Sequence, residues 1–222
     1  MKKGLTELVM ILDKSGSMYG LEKDSIGGFN SMIEKQKNEA GECRLTTVLF
    51  DNRITLLHDR IDIRAARPLT EDDYRPGGST ALADAIGFGI NKIIGVQKNC
   101  AGEYRAEKVL FIIITDGMEN SSREFTPGQV REMIEHEKEK YGWEFIFLGA
   151  NIDSAAAASH FGIDADRAVD YISDSEGTSL NYKVMADTVS SFRACGCISC
   201  DDFAPIRADV QARAGKKPRR SR

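Results

Sequence analysis

Four short runs of apolar residues constrain the fold of this 222-residue chain more than any other feature. They are residues 8–12 (LVMIL), 45–50 (LTTVLF), 109–115 (VLFIIIT) and 143–149 (WEFIFLG). Runs this short, rich in β-branched and aromatic residues, are typical of strands buried on both faces, as in a parallel sheet. Such a sheet needs helices on both of its faces.

Amphipathic stretches that fit this need lie between most of the strands. Apolar residues recur at helical spacing in residues 26–33 and again in residues 82–93. A third helix is predicted with Thr126 as its cap, Pro127 in its first turn and Gly142 just after its last turn. Alternation of strands and helices predicts a mostly parallel sheet with helices on both faces.

One strand is predicted to run the other way. Residues 54–58 (ITLLH) follow residues 45–50 after a turn that is too short for a crossover, so the two strands should pair antiparallel. A further short strand is predicted at residues 168–172. The predicted fold is therefore α/β: a doubly wound, mostly parallel sheet of about six strands with one antiparallel edge strand.

The charge of the chain divides it into a domain and a tail. Its net charge is −4, but residues 207–222 hold seven basic residues and one acidic residue, which leaves about −10 for residues 1–206. We expect one domain over residues 1–200 and a basic, disordered tail over residues 201–222. The tail is interpreted as a solubilising terminus. Contact with nucleic acid or an acidic partner is the alternative, and no aromatic residue interrupts the basic run to stack on bases.

The sequence also indicates where the protein works. No segment approaches the ~18 consecutive apolar residues of a membrane span, and the apolar start contains Glu7 and lacks a cleavage site. The odd number of cysteines, five, fits a reducing compartment better than a disulfide framework. We therefore expect a cytoplasmic protein with no membrane contact.

Three of these cysteines, Cys195, Cys197 and Cys200, lie close together in the segment CGCISC. Three close thiols could bind zinc or sense oxidation. Their spacing matches no strong motif, so the favoured interpretation is a helix end with small, partly buried, reduced cysteines.

Polar side chains follow the strands of this predicted sheet. Asp13, Ser15 and Ser17 follow the first strand, Asp116 follows the run at 109–115, and Thr80 precedes a helix. If the chain stays extended after the first strand, its three oxygen-bearing residues point to one side. A set of carboxylates and hydroxyls suits Mg²⁺, Mn²⁺ or Ca²⁺ and argues against zinc.

A family resemblance supports this interpretation. The segment DKSGSM, Thr80 in GGSTAL and Asp116 in ITDG resemble the metal-ion-dependent adhesion site (MIDAS) of von Willebrand factor A-type (vWA) domains, over roughly residues 4 to 194. The resemblance implies that Ser15, Ser17 and Thr80 bind the ion directly. It also implies that Asp13 and Asp116 act directly or through water, and that a partner protein supplies a carboxylate to the open coordination position.

The function predicted from this resemblance is a non-enzymatic, metal-dependent protein-binding module, similar to small stand-alone bacterial members and part of a larger complex. The rival is a Mg²⁺-dependent hydrolase, most plausibly a phosphatase. Against it, Ser15 stands where aspartyl phosphatases of the haloacid dehalogenase type have a second Asp. The oligomeric state is left open. Ser79 is predicted to cap a helix, and Glu119 and Asn120 are predicted mainly as solvated loop residues.

Overall fold

A computed structural model describes residues 1–213, and residues 214–222 lie outside the described part of the chain. The strands are β1 (Lys2–Asp13), β2 (Glu42–Phe50), β3 (Ile54–Asp62), β4 (Ala106–Thr115), β5 (Glu144–Ala150) and β6 (Ala168–Tyr171). The α-helices are α1 (Glu22–Lys37), α2 (Leu82–Asn99), α3 (Pro127–Tyr141), α4 (Ser154–His160), α5 (Ser175–Cys195) and α6 (Ala204–Arg213).

The six strands form one sheet in the order β3-β2-β1-β4-β5-β6. All neighbouring pairs are parallel except β2 and β3, which are antiparallel and place β3 at one edge. The predicted fold class is therefore confirmed. Strand order reverses beside β1, because the chain first builds outward through β2 and β3 and then returns to place β4 on the other side of β1.

The core lies on both faces of this sheet, as the unbroken apolar runs predict. In β1, Leu8, Met10 and Leu12 point to the face covered by α1 and α5, and Val9 and Ile11 point to the face covered by α2 and α3. All five are at most 1% exposed. Successive side chains of a strand alternate between the two faces of the sheet. Because helices cover both faces, both sets of side chains in residues 8–12 are buried and apolar.

The ends of α3 follow from its local sequence. Thr126 and Gln129 form a reciprocal capping box, in which the Thr126 hydroxyl accepts from the Gln129 amide and Gln129 Oε1 accepts from the Thr126 amide. Gly142 ends the helix in the left-handed conformation, at φ +66°. Within residues 1–213, no helix combines the length and the hydrophobicity needed to cross a lipid bilayer.

The C-terminal segment differs from the prediction. Disorder was predicted from residue 201, but a 3₁₀ turn spans Cys200–Phe203 and α6 follows it to Arg213. Phe203 and Ile206 are 0% and 1% exposed and belong to the core on the α1 and α5 face. The prediction was wrong for residues 201–213, because these two apolar anchors outweigh the basic composition. Residues 214–222 lie outside the described residues.

The cysteine cluster also differs from the prediction. Cys195 and Cys197 are paired as a disulfide, with their Cα atoms 5.5 Å apart, because Gly196 turns the chain back in the left-handed conformation at φ +75°. Cys195, Cys197 and Cys200 are all exposed, and Cys200 is a free thiol. The expected partly buried, reduced cluster is therefore not what the fold forms. Among residues 1–213, no group of three or more His, Cys, Asp or Glu is placed to hold a metal ion.

Candidate metal site

The predicted oxygen ligands lie at the centre of the sheet, beside its carboxyl edge. Asp13 is the last residue of β1, and Asp116 follows the last residue of β4, the strand that neighbours β1. Thr80 lies in the loop that precedes α2. In open α/β sheets, the crevice beside the point where strand order reverses is where ligands bind.

Asp13 is fixed at the floor of this crevice. Its Oδ1 accepts a hydrogen bond from the Ser15 amide at 2.6 Å, and its Oδ2 accepts one from the Thr115 hydroxyl at 2.6 Å. The residue is 1% exposed. Burial raises the pKa of Asp13, and the hydrogen bonds from Thr115 and Ser15 partly oppose that rise.

Ser15 and Ser17 meet through a turn. Residues Gly16–Met18 form one turn of 3₁₀ helix, which brings Ser15 Oγ to 3.0 Å from Ser17 Oγ. Positions i and i+2 of an extended strand are about 6.6 Å apart, so the predicted extended conformation was the wrong reason for their convergence. The Met18 side chain, 2% exposed in the core, holds this turn against the sheet.

Asp116 joins this group from β4. The Ser17 hydroxyl donates to Asp116 Oδ1. Asp116 Oδ2 is buried and accepts no hydrogen bond from any residue in 1–213. Burial, with a smaller contribution from the negative charge of Asp13, raises the pKa of Asp116 to about 6. An unpaired, buried carboxylate oxygen is costly unless a cation or a proton compensates it.

Thr80 reaches the same point from the α2 side. It is 3% exposed, and its hydroxyl packs so closely against Gly117 that a Cβ at position 117 would lie 2.9 Å from Thr80 Oγ1. The same Cβ would lie 3.6 Å from Ser17 Oγ. Thr80, Ser17 and the segment after β4 therefore surround one small space, and glycine at 117 keeps that space open.

The loop that carries Thr80 is tied to the end of β1. The Gly16 amide donates to the Gly78 carbonyl at 3.2 Å, and the Gly77 amide donates to the Lys14 carbonyl at 2.9 Å. The buried Tyr74 hydroxyl donates to the Asp13 carbonyl. Three bonds between the two segments thus set the position of Thr80 relative to Asp13.

Asn120 holds Thr80 from the other side. Asn120 Oδ1 accepts from the Thr80 amide at 2.9 Å, and the Asn120 amide donates to the Thr80 carbonyl at 3.1 Å. Asn120 was predicted mainly as a solvated loop residue, and that prediction missed its role in positioning Thr80. Its place shortly after Asp116 was the only local signal for it.

Glu119 and Ser122 accept hydrogen bonds from the backbone amides in the first turn of α2. Glu119 Oε2 accepts from the Ala83 amide at 2.7 Å, and Ser122 Oγ accepts from the Asp84 amide at 3.0 Å. Ala81 occupies the N-cap position and offers no side-chain acceptor, and Ser79 is exposed. The predicted cap at Ser79 was therefore wrong, because residues almost forty positions away along the chain satisfy these amides.

All five predicted ligands are thus brought together. Ser15, Ser17 and Asp116 are linked by hydrogen bonds, Asp13 is bonded to the Ser15 amide, and Thr80 contacts Gly117. Ser17 is the exposed member of the five, so the crevice opens to solvent beside it. Three hydroxyls and two carboxylates form an all-oxygen donor set that suits a hard divalent cation.

Comparisons with known proteins agree on the fold. No protein-family model matches this chain, and no curated protein is significantly similar to it. Among solved structures, the von Willebrand factor domain of the type V pilus tip protein from Porphyromonas gingivalis has a TM-score of 0.58 at 13% identity, over 87% of this chain and 98% of that one. A von Willebrand factor type A protein from Catenulispora acidiphila has a TM-score of 0.54 at 15% identity, over 83% and 42%.

The third similar structure is proximal thread matrix protein 1 of the mussel byssus, with a TM-score of 0.54 at 15% identity over 86% of this chain and 46% of that one. A further structure of the mussel protein has a zinc-occupied MIDAS motif. The present chain spans less than half of the mussel and Catenulispora proteins. Likeness at these identities establishes the fold, and this chain accordingly has the α/β fold of vWA domains.

Proposed function

We propose that this protein is a metal-dependent protein-binding module. Ser15, Ser17 and Thr80 would bind a divalent cation directly, and Asp13 and Asp116 would act directly or through water. The open coordination position would take a carboxylate from a partner protein. The proposal includes no catalytic step.

The convergence of five oxygen-bearing side chains from three separate segments is the observation that carries this proposal. Ser17 lies within hydrogen-bond distance of both Ser15 and Asp116, although Asp116 is 99 positions away along the chain. Asp116 Oδ2 is buried and has no hydrogen-bond donor among residues 1–213. A bound cation would satisfy that oxygen.

The donor set determines what such an ion would do. When bound, it would supply a Lewis-acidic position for an incoming carboxylate. Three of the five donors are neutral hydroxyls, which donate little electron density, so the ion would remain a Lewis acid toward an incoming carboxylate. We propose Mg²⁺ or Mn²⁺ as the ion, and the zinc-occupied motif of the mussel protein is an example of a divalent cation in a neighbouring structure.

The mouth of the crevice also offers apolar contact area. Tyr19 and Met118 are among the few large hydrophobic side chains that are strongly exposed, at 68% and 67%. Each lies two residues after a proposed ligand, Ser17 or Asp116. We propose that the partner presents its carboxylate next to apolar side chains, within a larger cytoplasmic complex.

Calorimetric titration of the metal-free protein with Mn²⁺ and with Mg²⁺ tests the ion site. Thr80→Ala should abolish measurable binding, because it removes a direct ligand. Ser79→Ala is the matched control, since it removes a neighbouring hydroxyl that is exposed, and it should bind as the wild type does. Equal affinity in Thr80→Ala and wild type would refute the site assignment.

Affinity capture from source-cell lysate tests the partner. Wild type, Thr80→Ala and Ser79→Ala are compared in Mg²⁺ and in EDTA. We expect a partner that is retained by wild type and Ser79→Ala in Mg²⁺, and lost in EDTA and in Thr80→Ala. If the ion binds but every captured protein is indifferent to chelator, the binding function is refuted and a phosphatase screen of the loaded protein becomes the next experiment.

A further inference from the structure

A cavity separate from the metal site lies beside the C-terminal half of α2 and along the length of α3. It opens between the two helices, beside the amino-terminal part of β4, and has a volume of about 920 Å³. Its apolar walls come from α2, α3, β4, the loop before α3 and the residue before β5: Ile94, Met133, Val109, Phe125 and Trp143. Cavities of about 300–1,000 Å³ with mostly apolar walls are typical of small-molecule sites.

Four glutamates line the cavity, and Glu137 is the buried one, whereas Glu107, Glu124 and Glu132 are exposed. Glu137 of α3 is 4% exposed, and among residues 1–213 its carboxylate has one ion-pair contact, at long distance, and no hydrogen bond. The nearest basic group is His136, whose Nε2 lies 3.9 Å from Glu137 Oε1. Lys98 and Lys140 also line the cavity, but neither forms an ion pair with Glu137 in the described chain.

A second polar group in the wall lacks a hydrogen-bond partner. Gln97 Nε2 is buried and has no hydrogen-bond partner within residues 1–213. Burial raises the pKa of Glu137, while the positive charges of His136, Lys98 and Lys140 oppose that rise. A buried carboxylate without donors costs free energy, and a ligand that supplies a cationic donor recovers it.

We propose that this cavity binds a small organic cation: a molecule with an ammonium group on an apolar, preferably aromatic, body. Glu137 is the counter-ion of the ammonium group, and the apolar walls cover the body. Trp143 lines the cavity, and Phe111 stacks behind it in the core with ring centroids 5.6 Å apart. Gln97 is placed to add a polar contact. The site shares no residue with the proposed metal site.

Trp143 makes the proposal directly testable, because it is the only tryptophan in the chain and lies in the cavity wall. Its fluorescence is followed while the whole protein is titrated with 4-phenylbutylamine, 4-phenylbutanol or 4-phenylbutyrate. These probes share an apolar body and differ in the charge of one end. We expect saturable binding of the amine, about ten-fold weaker binding of the alcohol, and the weakest binding of the acid.

Glu137→Gln keeps the shape of the side chain and removes its charge. It should weaken amine binding by about ten-fold and abolish the preference for amine over alcohol. Glu139→Gln, an exposed position on the same helix, is the control and should change neither. Ile94→Phe, which fills part of the cavity, should weaken all three probes, and thermal melting verifies that each variant is folded.

Three results would overturn the proposal: no saturable signal with the amine, equal affinity for amine and alcohol, or unchanged amine affinity in folded Glu137→Gln. EDTA and Thr80→Ala should leave amine binding unchanged. Failure of the metal site and failure of this cavity site are therefore distinguished by separate measurements.

Discussion

The end of β1 and the loop after β4 supply the same candidate site in different ways. At the end of β1, three of the five proposed ligands lie within the segment Asp13–Ser17, and the Gly16–Met18 turn brings the two hydroxyls together. After β4, the chain supplies one ligand, Asp116, and then Glu119 and Asn120, which hold the α2 side of the site.

The difference separates ligands from the groups that place them. A ligand motif in one segment is visible in the sequence because its residues follow one another closely. A positioning residue such as Asn120 is visible only when its partner Thr80 is known, because the two are far apart along the chain. The following predictions test whether these two regions contribute as differently as their contacts indicate.

Asp13→Ala should reduce metal affinity as severely as Thr80→Ala does and more than any of the substitutions that follow. We expect a loss of about 100-fold or more, since it removes a proposed ligand and the acceptor that orients Ser15. The free energy of unfolding in EDTA should change by less than about 2 kcal/mol, because the lost hydrogen bonds are offset by removal of a buried charge. Calorimetric titration and urea unfolding measure the two effects. Asp72→Ala, which changes an exposed aspartate, is the control. If Asp13→Ala binds metal as tightly as this control does, Asp13 is not a metal ligand.

Gly117→Ala should disturb the point where the two regions meet. The new Cβ would lie 2.9 Å from Thr80 Oγ1, so Thr80 must move away. We expect metal affinity to fall about 10- to 100-fold and stability to fall by about 1–3 kcal/mol. Gly128→Ala is the matched control, because nothing lies within 4 Å of the added Cβ. If metal affinity and stability change no more in Gly117→Ala than in this control, the position of Thr80 does not depend on Gly117.

Asp116→Asn should change how stability depends on pH in EDTA. The wild-type carboxyl has a pKa of about 6 when folded, above its ordinary value of 3.8, so the folded state holds the proton more tightly. The stabilising contribution of the protonated Asp116 carboxyl is therefore lost as pH rises from about 4 to about 6. The free energy of unfolding of Asp116→Asn should equal that of wild type near pH 4 and exceed it by about 2–3 kcal/mol at pH 7.

Urea unfolding at both pH values measures this difference. In saturating Mn²⁺ at pH 7, wild type should instead be more stable than Asp116→Asn, since the ion stabilises only the protein that retains the carboxylate. A variant that is less stable than wild type at pH 7 in EDTA would contradict the argument from burial and carboxylate repulsion.

Glu119→Ala should have the smallest effect on metal binding. It leaves the Ala83, Ser121 and Ser122 amides without their acceptor, which should cost about 1–2 kcal/mol of stability. Metal affinity should fall by about 10-fold or less, because Asn120 still holds Thr80. Glu124→Ala, an exposed glutamate in the same loop, should change neither quantity. If Glu124→Ala lowers stability and metal affinity as much as Glu119→Ala does, the capping role of Glu119 is refuted.

The sequence by itself determined the fold class and the residues that the fold brings together. Buried parallel strands read as short apolar runs, because both of their faces are covered. The short turn at Asp51–Arg53 fixed β3 as antiparallel, since no crossover fits into it. Residues that follow neighbouring parallel strands meet at one edge, so Asp13 and Asp116 could be placed together before any coordinates were known.

Only the tertiary structure decided how these residues are held. The cap of α2 comes from Glu119 and Ser122, and not from the adjacent Ser79, because spatial neighbours satisfy backbone amides as well as sequence neighbours do. Residues 204–213 form a helix because Ile206, with Phe203 just before it, reaches the core, which composition does not reveal. The burial of Glu137, whose one ion-pair contact is to His136 at 3.9 Å, is visible only once α2 and α3 line a cavity beside it, since the free-energy cost of a buried charge depends on its surroundings and not on its place in the chain.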